Sequence, residues 1–237
     1  MKIAFSWDDG SREDLRLFDL HNKYNIPGMF FVPNKNVERK DVLTPNDIGN
    51  NESELICFGG HTENHVYLTS IHINTVKAEV ENNKQYLEDI LGHRVDDFCF
   101  PGGKYNRQIL NMVLESYKTV RTADTMFFGE VESNIVRPSF HFYPRGYKSL
   151  MGNAVRHMDI PEFMYLFEKH NSNYFDLIKS LIEFESMLTD RNIMVWGHSW
   201  EIAECSLWDE LESFFGYIHD NYRDNCVSYK EFVRGND

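Results

Sequence analysis

The chain has 237 residues, 42% of them hydrophobic and 26% charged, a balance that fits a folded globular protein and excludes a disordered chain or a coiled coil. Its 24 basic and 37 acidic side chains give a net charge of −13, which argues against holding nucleic acid or an anionic membrane through the general field. The four cysteines, Cys57, Cys99, Cys205 and Cys226, lie far apart without a Cys-x-x-Cys pair and read as free core thiols.

The first apolar run breaks at Asp8, too early for a signal peptide, and no stretch approaches the roughly 20 apolar residues of a membrane span. The expected setting is therefore soluble and cytoplasmic. Short apolar runs rich in aromatic and β-branched residues then alternate with amphipathic stretches. Strands are expected at Ile3–Trp7, Met29–Val32, Leu55–Phe58, Phe98–Phe100, Lys118–Arg121 and Ile193–Trp196. Helices are expected at Arg12–Tyr24, at Ser70–Leu91 with Gly92 as its stop, at Tyr174–Leu188 after a cap at Ser172 or Asn173, and at Trp208–Tyr222. The segment Phe127–Ile160, with Pro138, Pro144, Gly146 and Gly152, lacks either period and reads as an excursion from one domain spanning residues 1–237. Strand–helix alternation predicts an α/β fold with a parallel sheet, either open or closed into a barrel.

In such folds the working residues gather just past the carboxyl ends of the strands. Four expected strands are followed there by Asp8-Asp9-Gly10, by Gly59-Gly60-His61-Thr62-Glu63-Asn64-His65, by Pro101-Gly102-Gly103 and by Gly197-His198-Ser199-Trp200-Glu201. Each has a plainer reading on its own: a turn, a chance histidine pair, a core histidine, a turn again. Their shared position is the argument. One carboxylate and two imidazoles make a catalytic metal site with open coordination positions, while a spare carboxylate and a third histidine supply acid–base chemistry. Non-haem iron oxygenases use a similar donor set, but typically within all-β double sheets.

These motifs resemble those of the metal-dependent polysaccharide deacetylases of carbohydrate esterase family 4, over roughly Met1 to Tyr229. Ser6-Trp7-Asp8-Asp9-Gly10 resembles the family's Thr-Phe-Asp-Asp-Gly, which implies Asp8 as general base and Asp9 as a metal ligand. His61-Thr62-Glu63-Asn64-His65 matches its His-Ser/Thr-x-x-His, which implies His61 and His65 as ligands and Thr62 as a brace for the loop. Trp196-Gly197-His198 stands where the family holds its catalytic histidine, which implies His198 as general acid. The third motif departs: Arg-x-Pro-Tyr/Phe-Gly becomes Cys99-Phe100-Pro101-Gly102-Gly103, so the arginine that orients the base is missing and the oxyanion-hole amide falls to Gly102. Arg121 and Arg137 are the candidates to replace that guanidinium, against an ordinary salt bridge for each. No fourth motif stands out.

The resemblance implies a distorted parallel (β/α) barrel with fewer than eight strands, and the pattern itself gives about six or seven. It also implies one divalent ion, zinc first, with cobalt, nickel, manganese or iron as alternatives. The expected activity is hydrolysis of an N-acetyl group on an amino-sugar-containing glycan or a soluble or lipid-linked glycan precursor. Trp196, Trp200 and Trp208 are candidates to shelve a sugar, with core packing the better reading for two of them. Glu201 either orients His198 or is solvated. The rival readings are a non-catalytic sugar- or metal-binding relic, prompted by the altered third motif, and a hydrolase of another non-peptide C–N bond.

Overall fold

Eight parallel strands form one curled sheet in a computed structural model that describes residues 1–38, 41–129, 131, 134–144, 150, 152–153, 155, 160–168 and 173–233. In chain order they are β1 (Lys2–Asp8), β2 (Gly28–Val32), β3 (Ile56–Gly60), β4 (Asp97–Cys99), β5 (Thr119–Arg121), β6 (Ile135–Val136), β7 (Phe140–His141) and β8 (Asn192–Gly197). The spatial order β6-β5-β4-β3-β2-β1-β8-β7 is that of a barrel opened between β6 and β7. This is the distorted (β/α) barrel expected, but with eight strands where fewer than eight, about six or seven, were expected; two lie beyond the six located in the sequence. Both extra strands lie within Phe127–Ile160, so part of that segment joins the sheet; Gly146 lies outside the described residues. Each is two residues long, too short to show any period.

The helices are α1 (Asp14–Tyr24), α2 (Pro45–Asn51), α3 (Ile73–Leu91), α4 (Arg107–Leu114), α5 (Ile160–Glu168), α6 (Tyr174–Ser186), α7 (Ser199–Glu204), α8 (Trp208–Tyr222) and α9 (Tyr229–Val233). The ends of the long ones are written in the sequence. Gly92 closes α3 in a left-handed conformation at φ 73°, and Asn173 caps α6 by accepting from the Asp176 amide; Ser172 lies outside the described residues. The short helices α2 and α4 were not expected. They rest on local signals, a Thr44–Asp47 capping box with Pro45 at the first turn and an Asn106 cap.

Alternation along β1 sets the two layers. Ile3, Phe5 and Trp7 point outward into the apolar layer formed with Leu17 and Phe18 of α1 and Phe214 and Phe215 of α8. Ala4 points inward with Met29, Phe31, Cys99, Val136 and Met194, and Tyr229 and Phe232 of α9 join this inner cluster. Full burial of each large apolar side chain contributes about 1.5–3 kcal/mol. None of the described helices is long and apolar enough to cross a membrane. The four thiols are free; Cys205 is exposed, so it is not the core residue expected of it.

Candidate active site

Every motif singled out at a strand end lies at the carboxyl edge of this sheet. After Asp8 ends β1, Asp9 and Gly10 turn the chain through left-handed conformations, at φ 77° and 58°. A Cβ on Gly10 would lie 2.7 Å from Val32 Cγ1, so the turn requires glycine. Thr62 and His65, on the loop after β3, are left-handed too, at φ 69° and 55°. Three of the seven non-glycine residues with positive φ among those described thus sit on these two loops. Such conformations are costly, and they concentrate where geometry serves a site.

Asp9, His61 and His65 converge. His65 Nε2 lies 2.8 Å and His61 Nε2 3.3 Å from the same oxygen, Asp9 Oδ1, and all three side chains are buried. Although burial alone would raise it, hydrogen bonds from His61 and His65 hold the Asp9 carboxyl far below the usual range, so it is ionised. His61 Nδ1 donates to the Cys99 carbonyl at 2.8 Å, which leaves Nε2 as the ring nitrogen on the side of Asp9. One carboxylate oxygen and two imidazole nitrogens within 4.8 Å of one another fit a divalent ion of the zinc type. The loop carrying the histidines is braced from α3. The Asn83 side chain accepts from the His61 amide at 2.7 Å, and Glu79 accepts from Asn64 through backbone and side chain at 3.0 and 2.8 Å. Thr62, expected as the brace, is buried, but its hydroxyl has no hydrogen-bond partner among the described residues.

Asp8 belongs to a different arrangement. The fully buried Arg121 guanidinium donates to both of its carboxylate oxygens, and the Cys99 thiol lies 3.5 Å from Oδ2. Burial raises the Cys99 thiol well above its ordinary pKa, so it is neutral. Asp8, His61 and Cys99 also lie close enough together to suggest a metal site, but a neutral thiol and a guanidinium-bound carboxylate make a poor one. Of the two arginines considered, Arg121 reaches the aspartate, whereas the half-exposed Arg137 lies 3.9 Å from Asp124.

On the other side stands His198, with Nε2 3.9 Å from Asp9 Oδ2 and Nδ1 2.6 Å from Glu201 Oε2. Glu201 is therefore engaged, not solvated. Burial works against its charge, yet hydrogen bonds from His141 and His198 lower its pKa to about 2. Burial likewise disfavours a charged His198, but the Glu201 hydrogen bond and the Asp9 charge outweigh it, and its pKa is raised. Trp200 Nε1 donates to Asp9 Oδ2 at 2.8 Å, which makes it an anchor for the carboxylate. Trp196 and Trp208 are 5% and 8% exposed, consistent with core packing for two of the three tryptophans.

Buried Pro101 opens a tight 3-10 turn to Gly103, with Gly102 exposed at φ 60°. A Cβ on Gly102 would lie 2.7 Å from the ring of Tyr67, so an aromatic from the histidine loop occupies the space beside this glycine. The sequence reading missed Asn83, Tyr67, His141 and Asp14. Asp14 is 1% exposed, and burial raises its carboxyl well above the usual range.

Fold and donor set together define an α/β protein with an Asp–His–His cluster flanked by a guanidinium-bound carboxylate and a carboxylate-bound histidine. The family model for polysaccharide deacetylase matches residues 1–118, the part that carries Asp8, Asp9, His61, His65 and Pro101, and the chain belongs to that family. Among solved structures it is similar to the Bc1960 peptidoglycan N-acetylglucosamine deacetylase at 14% identity, with a TM-score of 0.59, covering 98% of this chain and 87% of that one. It is similar to the Streptococcus pyogenes deacetylase PplD in complex with acetate at 19% identity and a TM-score of 0.51, over 57% of this chain and 62% of that one. It is also similar to BA3943, a family 4 carbohydrate esterase pseudoenzyme from Bacillus anthracis, at 9% identity and a TM-score of 0.53, over 98% and 65% of the two chains. At these identities the likeness shows the fold. The chain spans less than two thirds of several structures it matches, and 45% of two of them. No curated protein sequence matches it.

Proposed function

We propose that the protein is a metal-dependent N-deacetylase acting on an amino-sugar-containing glycan or glycan precursor. The observation that carries this reading is the Asp9–His61–His65 cluster beside an Asp8 held through both oxygens by Arg121. Asp9, His61 and His65 would hold one divalent ion, zinc first among the candidates, and that ion would polarise the acetyl carbonyl and acidify water.

The chain's own residues do the rest. Asp8 takes a proton from the attacking water while Arg121 and Cys99 fix its carboxylate. The Gly102 amide, free of any side chain, is the donor proposed for the developing oxyanion. His198 donates its Nδ1–H to Glu201 and, in the doubly protonated form, carries a second proton on Nε2, which it delivers to the departing nitrogen. Water adds to the carbonyl carbon, the C–N bond breaks, and acetate and the free amine leave. Thr62 and Pro101 shape the two loops, and Trp200 holds Asp9 from behind.

The altered third motif is the ground for reading the chain as a non-catalytic relic; the guanidinium that Arg121 brings to Asp8 supports the catalytic reading over it. Two variants test the assignment. Asp8→Asn should bind metal like the parent and release no acetate, whereas His65→Ala should lose both properties. Full turnover in purified Asp8→Asn protein would sink it.

A further inference from the structure

The acid side of the site contains a second imidazole that the mechanism above does not use. His141 ends β7 and is 2% exposed. It is the register partner of Trp196 on β8, so the two side chains emerge from the same face of the sheet at the same level. Their rings stack at 4.1 Å between centroids and 14° between planes. Tyr143 lies against His141 at 5.7 Å, and the Tyr174 hydroxyl donates to the His141 carbonyl at 2.5 Å. The ring is therefore fixed by strand pairing and by stacking.

That fixed ring reaches the partner of His198. His141 Nε2 lies 2.8 Å from Glu201 Oε2, the oxygen that also lies 2.6 Å from His198 Nδ1. An ionised carboxylate can only accept, so both nitrogens carry protons. This fixes one proton on His198 Nδ1 and leaves Nε2, the nitrogen of the proposed proton transfer, on the side of Asp9. Glu201 stands three residues after His198 on α7, a helix of six residues, and a pairing at that spacing is weak on its own. Its carboxylate can swing and exchange its two oxygens. The hydrogen bond from β7 ties Oε2 to a rigid part of the sheet.

We propose that His141 is a positioning residue, which holds Glu201 so that His198 presents Nε2 to the leaving nitrogen. The inference rests on reading His198 as the proton donor. The Asp8–Arg121 pair shares the same scaffold, because the Arg121 guanidinium lies 4.9 Å from the Trp196 ring on which His141 stacks.

The test compares His141→Leu, which removes the donor, with His141→Gln, whose amide N–H can replace it. Steady-state acetate release from N-acetylglucosamine oligomers by the zinc-loaded protein is expected to show kcat lowered about tenfold or more in His141→Leu, KM within about twofold of the parent, and most of the loss restored in His141→Gln. A second readout needs no turnover. The low-field proton signal of the His198 Nδ1–H, assigned by its loss in His198→Ala, should persist in the parent and in His141→Gln and vanish by exchange in His141→Leu. A signal unchanged in His141→Leu overturns the proposal, whatever happens to the rate. If the parent releases no acetate from any substrate while the signal still depends on His141, the positioning role stands and the deacetylase reading falls.

Discussion

Cys99 and Arg121 are register partners on the neighbouring parallel strands β4 and β5, and both side chains point at Asp8. The third motif has Cys99 where its arginine was expected, and a guanidinium reaches Asp8 from one strand further along the sheet, at the same level and on the same face.

Whether the guanidinium can serve Asp8 from either position is testable by swapping the two residues. Arg121→Cys should abolish acetate release and cost about 3–5 kcal/mol of stability, because it leaves the Asp8 charge buried without its partner. The double variant Cys99→Arg with Arg121→Cys keeps the composition and returns a guanidinium to the same carboxylate. Its acetate release and urea midpoint should both recover part of what the single change lost. A double variant no better than the single one would show that the two positions are not interchangeable.

The pH dependence of turnover should follow Glu201. Burial alone would lower the His198 pKa, and the Glu201 hydrogen bond and charge raise it. A general acid works only while protonated, so the raised pKa extends kcat toward alkaline pH. In Glu201→Gln the alkaline limb of the kcat profile should therefore move to lower pH. A limb that stays in place would mean that His198 is not the group titrating there.

A stability effect arises far from the chemistry, at His21. This fully buried ring accepts from Trp7 Nε1 and bonds the Ile26 carbonyl, each at 2.7 Å, and burial lowers its pKa from 6.5 to about 4. Above pH 6.5 both folded and unfolded forms are neutral, and the group adds no pH dependence. Below it the unfolded chain binds a proton that the folded ring refuses, so stability falls until about pH 4, by about 3 kcal/mol in all. Urea midpoints measured between pH 7 and 4 should fall more steeply in the parent than in His21→Gln. Parallel curves would contradict the assignment.

Much of this was legible in the chain. Short apolar runs marked the six main strands, and helical periodicity with the Gly92 stop marked the longest helix, because buried parallel strands leave continuous apolar runs and amphipathic helices a periodic stripe. The ligand candidates were legible because motif order follows strand order. The two-residue strands β6 and β7 left no pattern, so His141 went unseen with them. Arg121 could be named as a candidate but not chosen, since register is a property of strand pairing and not of spacing along one strand. Asn83 did leave a signal, a polar residue within the apolar stripe Val76, Val80 and Leu87 of α3, and it marks the brace under His61.

The most direct measurement is metal content and acetate release in the same samples of purified protein, with N-acetylglucosamine oligomers as substrate, before and after chelation. About one zinc or similar ion per chain, together with release that chelator abolishes and metal restores, is the expected result. Protein that binds no metal even after reconstitution, or that releases acetate equally well without it, would contradict the account.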